Sequence, residues 1–376
     1  MADTDTDRNS GSDGLEPELV KTDEGAIAVK VRLPLITVSE LKAHRRCKRQ
    51  HHLTYRLGYR DVAKAGPLRF GTAVHAALEP WWRPGTGQKS IDLALASIDA
   101  DGEMDPFERA KARSMLIAYH ARWSTQDLEV LGVEVEFEAP LVNPTTGAHS
   151  RTFRVGGKID AIARKPNGQV FIVEHKTSGV ECGLDSAYWR KLRIDPQIST
   201  YLVGARAIGH DVAGCIYDVL RKPAIRPKEV PITDEDGVKI VVDRQGNRVR
   251  TKDQKKWRET SSKEDGYTLT TRPETPEEFE ARCLQTIAED PDRHLVRGEV
   301  YRLDMEEEDA AQDLWEQARD LKESENAKRF PRNPDACEQF GRFCSYFEVC
   351  TGSASLDDPT LFRRTTTKHE ELGGTK

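Results

Sequence analysis

No run of about 18 consecutive apolar residues occurs in this 376-residue chain, which excludes a single-pass membrane helix. The opening stretch, MADTDTDRNSGSDGLEPE, is acidic and lacks the apolar core of a secretory signal. Aromatic residues are sparse at 7%, against 32% charged residues, which suits a polar globular protein. The seven cysteines are an odd number, and without an export signal the expected compartment is the cytosol, where structural disulfides are rare. No internal repeat is visible. A net charge of −6 does not announce a nucleic-acid partner, so the distribution of charge carries more information than its sum.

That distribution is uneven. From Lys42 to Arg60 the chain reads KAHRRCKRQHHLTYRLGYR, with no acidic residue. Arg45, Arg46, Lys48 and Arg49, with Tyr55 and Tyr59 interleaved, are candidate contacts for a DNA backbone. The competing reading is a solvated helix face. The length admits a sizeable core, and the expected organisation is a disordered acidic tail over 1–30, one domain over 31–352 and a disordered tail over 353–376. Residues 222–272 are polar and charge-rich, with a hairpin signal in GVKIVVDRQGNRVR, and read as an insertion.

Helix signals occur after Thr37 or Ser39, from about Thr72, and through DPFERAKARSMLIAYHARW. Asp195-Pro196 opens another, with Gly209 as its stop, and Thr275-Pro-Glu-Glu a further one. Strands are expected in LEVLGVEVEFEAPLV and VAGCIYDVLRK, and as a hairpin in GKIDAIARKPNGQVFIVEHKTSG, residues 157–179.

That hairpin is chemically odd. If Pro166-Asn167-Gly168 forms the loop, Lys165 pairs with Gln169 and Asp160 falls opposite Glu174, with Lys176 on the same face. Like charges facing each other destabilise a sheet, and burying them costs more unless something neutralises them. A Mg²⁺ or Mn²⁺ ion would do so, since carboxylate oxygens are the ligands these ions prefer. A stray Asp and a Glu–Lys ion pair at an exposed hairpin end is the plainer alternative. His75 inside an apolar helical turn, and Gln197 with Tyr201 four residues on, are further candidates. Cys337, Cys344 and Cys350 lie close together near the carboxyl end, while Cys47 is remote in sequence. Four thiolates suit a [4Fe–4S] cluster or a structural Zn²⁺, although zinc favours closely paired cysteines.

In the order Ser39-Glu-Leu, Cys47, Gly71-x₃-His75, Gly157-x₂-Asp160, Glu174-x-Lys176, Gln197-x₃-Tyr201 and three late cysteines, the chain resembles the RecB-like branch of the PD-(D/E)XK nucleases. The likeness is to the iron–sulfur exonucleases found with CRISPR systems and in phages, and to the AddB nuclease domain. It implies an α/β fold, with a central mixed sheet flanked by helices and an iron–sulfur-stapled helical subdomain. It implies His75, Asp160, Glu174 and the carbonyl of His175 as ligands of Mg²⁺ or Mn²⁺. Lys176 would be the catalytic lysine, and Gln197 and Tyr201 would hold the substrate strand. Cys47, Cys337, Cys344 and Cys350 would hold the [4Fe–4S] cluster. The implied activity is exonucleolytic hydrolysis of DNA, on single-stranded or free ends, in recombination, repair or processing, with recombination or CRISPR-type proteins as partners and no membrane. Two alternatives are a non-catalytic iron–sulfur DNA-binding or assembly module and a zinc-stapled site-specific endonuclease. The late cysteines are more widely spaced than the family's C-x₂-C-x₅-C pattern, and the 222–272 insertion has no obvious counterpart in it.

Overall fold

The computed structural model describes residues 16–21, 27–62, 66–85, 89–339 and 341–372. Most of the expected acidic tail lies outside these residues. Within it, β1 (Glu16–Lys21) pairs antiparallel with β2 (Ile27–Arg32). This departs from a wholly disordered tail, and the β-branched alternation of Ile27, Val29 and Val31 gives the reason.

Strand β3 (Leu35–Thr37) leads into α1 (Val38–Arg46), where the Thr37 side chain accepts from the Glu40 N–H at 3.1 Å. The expected long helix breaks at Cys47, whose extended backbone separates α1 from α2 (Lys48–His51). After a π-helical turn over His52–Arg56 come β4 (Tyr59–Asp61), α3 (Gly66–Trp82), α4 (Ser90–Asp99) and α5 (Pro106–Trp123). Asp105 caps α5, with Pro106 at its first position.

The sheet follows: β5 (Glu129–Val142), β6 (His149–Arg164), β7 (Val170–Ser178) and, after α6 (Ala187–Leu192) and α7 (Pro196–Ala207), β8 (Val212–Arg221). Four short strands then form the insertion: β9 (Glu229–Pro231), β10 (Val241–Val242), β11 (Thr268–Leu269) and β12 (Thr271–Pro273). Helices α8 (Pro276–Glu289) and α9 (Pro291–His294) lead to the edge strand β13 (Leu295–Val300) and the long α10 (Asp304–Ala327). The chain finishes with β14 (Glu338–Gln339), β15 (Arg342–Phe343), α11 (Phe347–Thr351) and β16 (Phe362–Arg364).

The central sheet runs β13-β8-β7-β6-β3, with β5 on β6, and mixes parallel and antiparallel pairs. Alternation divides its side chains between two cores. Ala161, Ala163, Phe171 and Val173 face α3, α4 and α5. Ile159, Ile162, Ile172 and Val219 face α6 and α7. Each fully buried Ile, Val or Phe contributes roughly 1.5–3 kcal/mol, so both layers are held firmly against the sheet. No helix among the described residues is long and apolar enough to cross a membrane.

The expected disordered carboxyl-terminal tail is corrected over 353–372. Strand β16 pairs with β4, and Phe362 stacks on Tyr346 at 5.4 Å. His369 reaches the buried Glu40, its Nε2 3.6 Å from Oε2. Burial of Phe362 and a buried acid in need of partners outweigh the polar composition of this segment.

Candidate active site

Strand β6 is longer than any single partner on one of its edges. It pairs in parallel with β3 over Arg154–Gly156 and antiparallel with β7 over Ala161–Arg164. Between these stretches its edge forks, and Asp160 stands at the fork. The turn forms as the sequence suggests: Gly168 has φ +87°, and Lys165 N–H bonds Gln169 O at 2.9 Å. Ala161 opposes Val173, so the register places Asp160 against Glu174. There the ladder is replaced by a side chain, because the His175 N–H donates to Asp160 Oδ2 at 2.7 Å.

Glu174 and Lys176 share the α7 face of β7 and form an ion pair. The Pro196 start of α7 delivers Gln197, whose Nε2 donates to Glu174 Oε1 at 2.7 Å. Asp195 caps that helix through the Gln197 N–H. Tyr201 lies one turn further on, its ring 5.6 Å from Phe137. Gly157 makes this approach possible, since a Cβ there would come within 2.8 Å of both rings. From the other side, Gly71 lets α3 close on Thr177, and His75 Nδ1 comes within 3.6 Å of Asp160 Oδ1. His75, Asp160, Glu174, Lys176, Gln197 and Tyr201, called from sequence as a group, are thus brought together.

The charges are strongly coupled. Burial pushes the Glu174 carboxyl up, and the Asp160 charge adds to this against the pull of Lys176. Burial also opposes ionisation of Asp160, but His75, His175 and Lys176 outweigh it and hold that carboxyl well below the usual range. Burial disfavours the Lys176 ammonium, yet Glu174 and Asp160 more than offset it, so Lys176 stays charged. Two carboxylates and an imidazole are donors that fit Mg²⁺ or Mn²⁺ in kind. Glu174 Oε2 is buried and accepts no hydrogen bond, which is the vacancy in hydrogen bonding that a cation would fill. The set is not drawn closed: among the described residues no three His, Cys, Asp or Glu groups already surround one point as a metal centre.

His175 behaves differently from its neighbours. Its ring turns to the α3/α5 face, 5.3 Å from the Trp82 ring and with Nδ1 3.3 Å from Asp218 Oδ2. Only its backbone faces the fork. Asp218 is itself buried and receives Tyr119 OH at 2.5 Å and Arg297 Nη2 at 2.8 Å, while Trp82 Nε1 donates to Tyr119 OH at 3.0 Å. Burial works against the Asp218 charge, but Arg297 and His175 outweigh it and lower its pKa. This network behind β7 was missed in the sequence. An Asp inside the apolar strand CIYDVL was its one signal.

The four cysteines also approach one another. Asn333 Nδ2 bonds Arg46 O at 2.8 Å, Cys344 N–H bonds Cys337 O at 2.7 Å, and Tyr346 OH bonds Tyr59 O at 2.8 Å. Burial raises the Cys344 and Cys350 thiols. Cys47 and Cys350 lie within electrostatic reach of Cys344, and Cys47 and Cys337 within reach of Cys350. All four are free thiols. Arg46, Arg49 and Arg332 pull these pKa values down, but burial outweighs them, and among the described residues no three cysteines are gathered as a metal centre.

The basic segment does not present the expected row of phosphate contacts. Lys48 pairs with Asp320, Arg46 bonds Gln50 and Gln339, and Arg49 lies beside Cys350 with its Nε buried. Arg56 is committed to Glu40 at 2.7 Å and Glu325 at 2.6 Å. Arg45 alone of the four candidates is exposed. Of the other three, Lys48 is claimed by an acid remote in sequence, Asp320, while Arg46 is held by glutamines.

No curated protein matches the chain. A solved structure titled "Crystal structure of SSO0001" is 20% identical, covering 49% of this chain and 71% of that one, with a TM-score of 0.20, too low to carry an argument. The profile of the PD-(D/E)XK nuclease superfamily matches residues 35–351, a span holding the fork, both flanking helices and all four converging cysteines. The chain belongs to the PD-(D/E)XK nuclease superfamily.

Proposed function

We propose that the protein is a Mg²⁺- or Mn²⁺-dependent deoxyribonuclease that acts exonucleolytically on single-stranded DNA ends. The observation that carries this reading is the meeting of Asp160, Glu174 and Lys176 on one face of the sheet fork, with Gln197 fixing the Glu174 carboxylate. Glu174 is only 2% exposed. A scissile phosphate must therefore come down to it, which a splayed single strand does more readily than a duplex. A binding or assembly module would have no use for two facing carboxylates whose repulsion costs stability.

His75, Asp160, Glu174 and the His175 carbonyl would hold the cation. When bound, it supplies Lewis acidity for attack of water on phosphorus and for departure of the alkoxide. One P–O bond forms to the water oxygen and one breaks to the leaving oxygen, which takes up a proton. Lys176 would orient or activate the attacking water and stabilise the charge that builds on the phosphoryl oxygens. Gln197 and Tyr201 orient Glu174 and flank the strand.

Cys47, Cys337, Cys344 and Cys350 would hold a [4Fe–4S] cluster, favoured over zinc by the absence of closely paired cysteines. The exonucleolytic mode is tested with end-labelled linear DNA and a circular single strand, each with Mn²⁺. Release of short labelled products with the circle intact is expected. Cutting of the circle would replace exonuclease by endonuclease.

A further inference from the structure

The segment from Lys222 to Pro273 is an arm whose strands pair only with one another, β9 with β12 and β10 with β11. It buries little apolar surface. Val241 is its one fully buried aliphatic side chain among the described residues. Turns at Asp234, Asp243 and Thr251 shape it instead, each closed by a backbone bond back to the same residue. An ordered arm with almost no core of its own is expensive to maintain in conformational entropy, so its surface invites a function.

That surface is basic. Between Arg244 and Arg258 stand seven Lys or Arg residues and a single acid, Asp253, in a chain of net charge −6. Asp253 is occupied by its own turn, accepting from Thr251 Oγ1 at 2.5 Å and from the Lys255 N–H at 3.3 Å. The Trp257 ring meets the guanidinium groups of Arg248 at 4.3 Å and Arg250 at 4.1 Å. Arg248 is tied in turn to Asp234 at 2.5 Å. These contacts stiffen the tip, while Arg244, Lys252, Lys255 and Lys256 remain exposed.

The arm is rooted at the mouth of the fork. Lys176 lies opposite Val219 in the sheet, and Lys222 N–H bonds Ser178 O at 2.8 Å. The arm therefore leaves the sheet about 10 Å along the strand from the catalytic lysine, at roughly 3.3 Å per residue. The Lys222 ammonium sits 4.0 Å over Phe70 on the His75 helix. Lys111 Nζ holds Pro223 O at 3.0 Å and Ile225 O at 3.1 Å. The returning strand is pinned by Glu274, which accepts from the Lys228 N–H at 3.1 Å and from Arg282 at 2.7 Å. Both roots are fixed to the nuclease body.

We propose that this arm is a second, sequence-independent DNA grip, in which Lys252, Lys255 and Lys256 contact backbone phosphates outside the active site. The inference rests on the nuclease reading and adds a site to it. The test uses the full chain in EDTA, so that nothing is cut, and measures binding of a long and a short single strand against salt by fluorescence anisotropy. K252E/K255E/K256E, and the neutral K252Q/K255Q/K256Q, should weaken binding of the long strand by roughly tenfold or more. They should also flatten its log–log salt slope by about 2, at about 0.7 per lost phosphate contact. Binding of the short strand, and its cleavage once Mn²⁺ is added, should stay at the wild-type level. An unchanged slope on the long strand, in a protein that binds and cuts, would overturn the arm and leave the nuclease standing. Equal losses on both strands would show that the lysines serve the active site itself and overturn a separate grip. A wild-type protein that binds neither strand would remove both readings.

Discussion

Replacing Asp218 by Asn would remove the anion of the network behind β7 without changing its volume. The Asp218 side chain is 1% exposed and that of Arg297 11%, so the guanidinium would be left in the interior without a counterion. Breaking one half of a buried ion pair costs about 3–5 kcal/mol. The Asn oxygen can still accept the Tyr119 hydrogen bond, which points to the lower end, near about 3 kcal/mol. Against a total stability of roughly 5–15 kcal/mol, that loss is large. Equilibrium urea denaturation without divalent ions should show a lower midpoint and an unchanged slope. The double variant Asp218→Leu/Arg297→Met should recover much of the loss, because no charge is left orphaned. A loss under about 1 kcal/mol, typical of an exposed pair, or a double variant no better than the single, would refute the reasoning.

Two further outcomes follow from Glu40 and Cys47. Burial opposes the Glu40 charge, but His51 and Arg56 outweigh it and lower its pKa, so it contributes stability above its unfolded value of 4.5 that is lost as pH falls below. Glu40→Gln should therefore be clearly less stable than wild type at pH 7, with the gap narrowing as pH falls below 4.5 in thermal melts. A gap that widens on acidification would contradict this. Cys47→Ala should give colourless, protease-sensitive protein after anaerobic purification, since linking residue 47 to 337–350 closes a long loop worth on the order of several kcal/mol. Cys182→Ala should keep any colour, and stoichiometric zinc without iron would remove the cluster.

The hairpin of β6 and β7 was legible because its information is local. A Pro-Asn-Gly turn sets the register, period-2 alternation sets the face, and together they bring Asp160 to Glu174 and Lys176 to the same side. Helix caps at Thr37, Asp195 and Thr275 were legible for the same reason. The basic segment was only partly legible because the acids that meet Lys48, Arg56 and Arg60, namely Asp320, Glu325 and Glu370, are hundreds of residues away in sequence and only the fold brings them near. The carboxyl-terminal return was hidden likewise, its strand being three residues long. His175 was read as a backbone ligand only; what its ring does depends on Asp218 and Arg297, whose meeting across β8 and β13 has no local signature.

The central claim is that Asp160, Glu174 and Lys176 form one hydrolytic site at the sheet fork. Its most direct test is digestion of end-labelled single-stranded DNA with Mn²⁺ by wild type, Asp160→Ala and Lys176→Ala, each checked for folding by circular dichroism. Wild type should cleave, and both folded variants should lose cleavage while still binding the strand. Either variant cutting at the wild-type rate would contradict the account.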